Sequence, residues 1–173
     1  MKIYTIGNKN EEQFLRCQAV DFDFSQHSRN DIRQLIKAMR QKMKEANGVG
    51  LSANQVGFNF RVFVARVDNK FYTVFNPKIV KKSAELVELE EGCLSVPEKF
   101  GLVKRPERVW LEGFDASGRK IKIKAWGLLA RVFQHEVDHL NGTLFIDKAT
   151  KVYQAESTQN QLLEVGPPNV EKT

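Results

Sequence analysis

Apolar side chains recur along this chain with two different periods, and the changes between them mark its elements. Between residues 28 and 47, Ile32, Leu35, Ile36, Met39 and Met43 follow the 3.6-residue spacing of an amphipathic helix. Ser28 or Asn30 can cap its start, and Asn47-Gly48 ends it. A loop with three glycines comes next, Gly48-Val49-Gly50-Leu51-Ser52-Ala53-Asn54-Gln55-Val56-Gly57. β-Branched and aromatic residues then take over. Arg61–Val67 and Lys70–Phe75 predict a hairpin around Asp68-Asn69. Further strands are predicted at 78–82, 85–90, 107–114 and 119–125, the last two joined by the turn Asp115-Ala116-Ser117-Gly118. Helical spacing returns over 127–140 through Leu128, Leu129, Val132, Phe133, Val137 and Leu140, and Asn141-Gly142 stops it. From Tyr153 the chain is polar, with Gly166-Pro167-Pro168 near its end, so a domain at 1–152 is expected to carry a frayed tail at 153–173. Helix, strands and helix with little βαβ alternation predict an α+β fold, its mixed or antiparallel sheets packed around a central helix.

A length of 173 residues fits one domain with its own core, and 42% hydrophobic against 28% charged residues is a globular composition. Nowhere does an apolar run approach the ~18 residues of a membrane span. Met1-Lys2-Ile3-Tyr4-Thr5-Ile6-Gly7 has no apolar signal region, so a cytoplasmic protein, monomeric and without membrane contact, is expected. The net charge is +6, and its densest group is Arg29, Arg33, Lys37, Arg40, Lys42 and Lys44 along the first long helix. That stripe reads as a solvated face or as a contact with RNA or the ribosome surface. No zinc finger, P-loop or RNA-binding aromatic strand motif accompanies it. The 2 cysteines are too few for a disulfide scaffold, and Cys17 reads as a small buried hydrophobe.

The sharpest chemical signal is His135-Glu136-Val137-Asp138-His139. On a helix, residues four apart project to the same side, so two imidazoles can share one metal ion with Glu136 beside them to take a proton from water. The chain has only 3 histidines, which makes this spacing a poor candidate for accident. A hydrolytic metal site wants a third protein ligand and an open position. Cys93, His27 and a carboxylate are the candidates. His27 sits in a polar segment and reads as exposed, and no third histidine follows the helix. Cys93 lies in Glu90-Glu91-Gly92-Cys93-Leu94-Ser95-Val96-Pro97, after a predicted strand and before a Pro-terminated turn. Its thiolate would be a soft, strong donor, suited to Zn²⁺, Fe²⁺, Co²⁺ or Ni²⁺.

Three segments, in order, resemble the motifs of the peptide deformylase family: Gly48 to Gly57, Glu91-Gly92-Cys93-Leu94-Ser95, and Gln134-His135-Glu136-Val137-Asp138-His139. The resemblance covers about residues 28–148. It implies an iron-preferring hydrolase, with Zn²⁺, Ni²⁺ or Co²⁺ also accepted, that removes the formyl group from N-formylmethionyl peptides and releases formate. It implies Cys93, His135 and His139 as metal ligands, Glu136 as general base and acid, and Gln55 with the backbone N–H of Leu94 as donors to the oxyanion. Ser52 and Asn54 replace the residues usual in the first motif, and Phe100 stands where some members carry an Arg. For the methionine side chain an apolar slot is expected from Val49, Leu128 and Val132. Gly50 and Gly92 are expected to pair with the peptide backbone as an added strand. Arg131 reads as a surface or ion-pair residue, while Glu91 and Asp138 read as carboxylates that orient a ligand or an Arg. Two rival readings share part of this signal. A zincin-type endopeptidase would draw its third ligand from downstream of the helix, and a non-enzymatic metal or RNA module would use the basic helix.

Overall fold

Two antiparallel sheets hold one helix between their concerns. In this computed structural model, which describes residues 1–154, the five-stranded sheet runs in the order β1-β2-β3-β6-β7 and the three-stranded sheet β4-β5-β8. The strands are β1 Gly50–Ser52, β2 Val62–Val67, β3 Lys70–Lys82, β4 Leu86–Cys93, β5 Val96–Pro106, β6 Arg108–Phe114, β7 Lys120–Trp126 and β8 Ala149–Gln154. The helices are α1 Lys9–Leu15, α2 Arg29–Glu45 and α3 Gly127–Leu140. Helix α3 packs against β1, β2, β3, β6 and β7 of the larger sheet and against β5 of the smaller one. This is the expected α+β fold.

The sequence explains that arrangement locally. In β7, Lys-Ile-Lys-Ile-Lys-Ala-Trp alternates, so Ile121, Ile123 and Ala125 pack inward while the lysines face solvent. Helix α3 buries residues on almost every side, including Ala130, Val132, Phe133, Gln134, Glu136, His139 and Leu140, as a core helix does. Phe133 packs tilted against Phe63 and edge-to-face against Tyr72 of the sheet, at ring separations of 5.5 and 5.4 Å. Helix α2 lays Ile32, Met39 and Met43 on Leu51, Val62, Val64 and Phe75. Ser28, rather than Asn30, caps α2, in a capping box with Asp31. Asp68 and Asn69 both have positive φ, 50° and 60°, as the tight β2–β3 turn requires.

Several expectations change. The predicted strands at 70–75 and 78–82 are one strand, β3, carried past Asn76-Pro77 by a bulge. Asn76, at φ 47°, accepts from Phe22 N–H at 2.6 Å and donates to Phe22 C=O at 3.0 Å, which holds the kink. Strand β5 was hidden, because Pro97, Gly101 and Pro106 read as punctuation, yet the two prolines fall near its ends. Helix α1 and the strands β1 and β8 were also missed, being too short for periodicity to show. Cys17 is exposed, not buried: it follows the last turn of α1, and its thiol donates to Gln13 C=O at 3.3 Å. Tyr153 and Gln154, which the sequence assigned to the tail, end β8 opposite Phe100 and Lys99. The rest of the expected tail, 155–173, lies outside the described residues.

Candidate metal centre and substrate cleft

Helix α3 turns His135 and His139 toward the end of β4, where Cys93 sits. The two Nε2 atoms are 3.2 Å apart, and Cys93 Sγ is 3.1 Å from His139 Nε2. All three donor atoms fall within 4.8 Å of one another. His135 Nδ1 lies 3.0 Å from Glu91 Oε2, a bond that directs Nε2 toward the other two donors. So many lone pairs in one buried place call for a cation. Burial pushes the Cys93 thiol up, but the imidazoles of His139 and His135 pull it well below its ordinary value. Burial likewise works against a proton on His135, while Cys93 and Glu91 hold it there, up to about 10. A borderline divalent metal fits this donor set, taking the place of that proton.

Glu136, 3% exposed, stands behind the three donors. Ser52 Oγ donates to its Oε2 at 2.6 Å and lies 3.0 Å from its backbone oxygen. Burial pushes the Glu136 carboxyl up, against the pull of His135, His139 and Ser52. A carboxyl raised by burial, beside donors that could hold a metal, is suited to taking and returning a proton. Gln55 is fixed at both ends of its amide. Its Oε1 accepts from Ser52 N–H at 2.9 Å, and its Nε2 donates to Ser95 Oγ at 3.0 Å with Cys93 Sγ at 3.6 Å. Leu94 lies in the turn between β4 and β5, beside Cys93. Asn54, a departure from the usual first motif, donates to His139 C=O at 2.5 Å and so ties this loop to the end of α3.

Beneath the donors lies a buried charge network that the sequence showed only in part. Glu91 accepts from Arg105 Nε at 2.5 Å and Nη2 at 2.8 Å, and from Arg131 Nη1 at 2.7 Å. Burial alone would raise its carboxyl, yet Arg105 and His135 hold it well below the carboxylate range. Arg131 is an ion-pair residue, but a buried one, donating also to Val103 C=O and Val87 C=O. Arg105 was not anticipated, since β5 was not. Its Nη1 reaches Asp138 Oδ2 at 2.7 Å, and Lys148 meets the other oxygen at 2.5 Å. His27 is exposed and stacks on Phe22, away from the site.

A cleft of about 460 Å³ opens in front of Glu136 and His135. Val49, Gly50, Gly92, Leu94, Leu128 and Val132 all line it. Val49 and Leu128 are 51% and 54% exposed, while Val132 is buried at 5%. Gly50 and Gly92 lie on β1 and β4, the outermost strands of their sheets, so among the described residues each has an unpaired edge. Both are close to a neighbour: a Cβ on Gly50 would fall 2.2 Å from Glu136 Oε1, and one on Gly92 2.9 Å from the Phe100 ring.

Two imidazoles, a thiol and a buried carboxylate over an apolar cleft make up the equipment of a metal-assisted hydrolase. Known proteins agree. The model of the polypeptide deformylase family matches residues 1–155. A peptide deformylase of Treponema pallidum (strain Nichols) is 45% identical over 117 residues, 68% of this chain and 72% of that one. The crystal structure of peptide deformylase from Thermotoga maritima superposes with a TM-score of 0.79 at 36% identity, over 87% of this chain and 97% of that one. One from Synechococcus elongatus, in complex with actinonin, gives 0.79 at 38%, over 87% and 79%. The chain therefore belongs to the peptide deformylase family. Its activity is the hydrolytic removal of the N-formyl group from nascent polypeptides that begin with N-formylmethionine.

Proposed function

We propose that Cys93, His135 and His139 hold the catalytic divalent cation, and that Glu136 carries the proton of the reaction. The convergence of the three donor atoms within 4.8 Å, next to a buried carboxylate, supports this reading. Bound there, the cation supplies the charge that acidifies water and polarises the formyl carbonyl. Glu136 Oε1, the oxygen that Ser52 leaves free, takes the proton of the attacking water and returns it to the leaving amine. Gln55 Nε2 and the Leu94 N–H donate to the oxygen on which negative charge builds. Loss of one such donor costs about 2.7–4 kcal/mol in comparable sites. The methionine side chain enters between Val49, Leu128 and Val132, and the peptide backbone pairs with the free edges at Gly50 and Gly92.

Thiolate with two imidazoles would by itself favour zinc, and Fe²⁺ is proposed on the family resemblance, with Zn²⁺, Ni²⁺ or Co²⁺ as substitutes. No described helix is long and apolar enough to cross a membrane. We place the enzyme in the cytoplasm, as a monomer. A ribosome contact through α2 would draw on Arg29, Arg33, Lys37 and Lys44. Arg40 is occupied with Thr73 and Phe71, and Lys42 with Glu45.

The experiment is formate release from a formyl-Met tripeptide, with and without chelator, alongside casein cleavage. Chelator-sensitive formate release without casein cleavage is expected. Hydroxamates bearing n-butyl, methyl or carboxylate side chains next to the chelating group should rank in that order. Each methylene adds about 0.8 kcal/mol of burial, and a charge has no partner in the slot. Formate release that survives full metal removal would overturn the metal assignment, and equal hydroxamate affinities would overturn the slot.

A further inference from the structure

The outer face of the larger sheet is a second feature with chemistry of its own. Its cross-strand rows place Lys81 opposite Trp110 opposite Lys124, and Lys78 opposite Glu112 opposite Lys122. Arg108 pairs with Trp126 at one end, and Phe114 with Lys120 at the other. Six cations thus share the face with two carboxylates, Glu112 and the Glu85 that pairs with Arg108 at 3.0 Å. Glu112 is bonded to Lys122 at 2.7 Å and held low by it and by the field of Lys120 and Lys78, which leaves Lys78, Lys81, Lys120 and Lys124 without a carboxylate partner among the described residues. Two of the ammonium groups are steered by one ring: Lys81 and Lys124 lie 4.9 and 5.5 Å from the centre of Trp110. Trp126 is 64% exposed. Trp126 is the exposed aromatic of this cationic face, and the reaction in the cleft does not use it.

We propose that this face binds single-stranded RNA, with Lys81, Lys120 and Lys124 on phosphates of the strand and Trp126 as a stacking surface for a base. Charge complementarity carries the choice. Lys120 and Lys124, four residues apart on β7, stand about 13.6 Å apart along the strand, of the order of two nucleotide steps in an extended chain. Ammonium groups held beside an indole lose less freedom on meeting a phosphate than free lysines do. A twisted sheet follows a winding strand better than it meets a flat bilayer, and membrane-surface binding is more often the work of an amphipathic helix. Base stacking on an aromatic ring requires no particular sequence, so the binding is general rather than base-specific. The inference is independent of the chemistry assigned to the cleft.

The test is fluorescence anisotropy of a labelled twelve-nucleotide uridine RNA with the full-length protein, over a series of salt concentrations. Dissociation constants of roughly 10⁻⁶–10⁻⁴ M are expected at moderate salt, weakening steeply as salt rises. In Lys81→Gln/Lys120→Gln/Lys124→Gln, affinity should fall tenfold or more. The slope of log affinity against log salt should fall by about 2, three contacts at about 0.7 each. Trp126→Ala should weaken binding about fivefold or more while leaving that slope in place, as loss of one stacked base does. Arg29→Gln/Arg33→Gln/Lys37→Gln on α2 should bind as the parent does. Deformylation of a formyl-Met tripeptide should be unchanged in the sheet variants, which shows that they fold. If the triple variant fails to fold, Trp126→Ala carries the test alone. Parent-like binding by the sheet variants, loss in the α2 variant instead, or tighter binding to phosphatidylserine vesicles than to RNA would each overturn the proposal.

Discussion

Glu91 Oε2 and His135 Nδ1 meet at 3.0 Å, joining the last turn of β4 to the helix that carries both histidines. The same carboxylate holds Arg105 with two bonds and Arg131 with a third. One group therefore aims a proposed metal donor and neutralises two guanidiniums that are 3% and 7% exposed.

Glu91→Gln keeps the shape of that side chain and removes its charge. Arg105 would retain Asp138, but Arg131 would keep only carbonyl partners. Leaving buried charge uncompensated costs about 3–5 kcal/mol, and loss of a partner behind a metal ligand costs about 10–100-fold in metal affinity. Urea unfolding and competitive metal titration should show both losses. An unchanged unfolding midpoint would mean that the network contributes nothing to stability.

Glu136→Gln should separate metal binding from turnover. The amide can still accept from Ser52 Oγ through its oxygen, so the site keeps its form. It cannot accept the proton of water. Turnover should fall by roughly 10²–10⁴-fold with metal content intact. A near-parental rate at full occupancy would rule out Glu136 as the base.

The two cysteines offer an internal control. Cys93→Ala removes one of three donors and should empty or greatly weaken the metal site, as elemental analysis after dialysis would show. Cys17, exposed at the end of α1, should be replaceable by Ala with no change in metal content. The reverse pattern would dismiss the ligand assignment.

How much of this was legible follows from where each signal lives. Helices α2 and α3 repeat an apolar pattern over several turns, and the histidine pair rides on α3, so local spacing was enough to bring His135 and His139 together. Cys93 could be singled out as a soft donor, but its approach to His139 depends on the β4–β5 hairpin turn, which no local period reports. Arg105 was invisible for a related reason: β5 is punctuated by Pro97, Gly101 and Pro106, and an Arg in a segment read as turn looks solvated. Ser52 and Ser95 carry small hydroxyls whose value comes from what they face, Glu136 and Gln55, across 84 and 40 residues of chain. Cys17 misled because burial statistics describe residue types, while exposure here is set by the place where a seven-residue helix ends.

Asp115 gives a pH-dependent prediction for the β6–β7 turn that supports the basic face. Its Oδ1 accepts from Ser117 Oγ at 2.6 Å, Ser117 N–H at 2.8 Å and Arg119 N–H at 3.0 Å. These bonds, the Ser117 hydroxyl first, hold the carboxyl down to about 2. A folded value below the unfolded ~3.9 stabilises above about pH 4, and the contribution is lost as pH falls toward 2. Asp115→Asn should therefore melt below the parent at pH 6, and the gap should close between pH 4 and pH 2. A gap that is constant over that range would mean that the charge of Asp115 is not what the turn uses.

Gly50 supplies the most direct test of how the cleft works. A Cβ there would stand 2.2 Å from Glu136 Oε1 and 2.8 Å from Cδ, closer than any atoms can remain. The chain has two ways to respond. It can shift β1, which is short and pairs only with β2, or it can swing the Glu136 carboxylate away from Ser52. A carboxylate at the end of a side chain gives more readily than a paired strand, so Gly50→Ala should fold with a melting temperature close to the parent's. The cost should appear in chemistry. Displaced Oε1 no longer faces the attacking water, and a misplacement of about 1 Å can cost ~10²-fold in rate. The methyl group would also stand on β1, where the peptide backbone is proposed to pair, so KM should rise as kcat falls. Metal content should stay at the parental level, because the three atoms nearest such a methyl all belong to Glu136 and not to the proposed donors. Steady-state kinetics on a formyl-Met tripeptide, with metal analysis of the same preparation, separates these terms. Full activity in Gly50→Ala would show that neither Glu136 Oε1 nor the β1 edge is used as described.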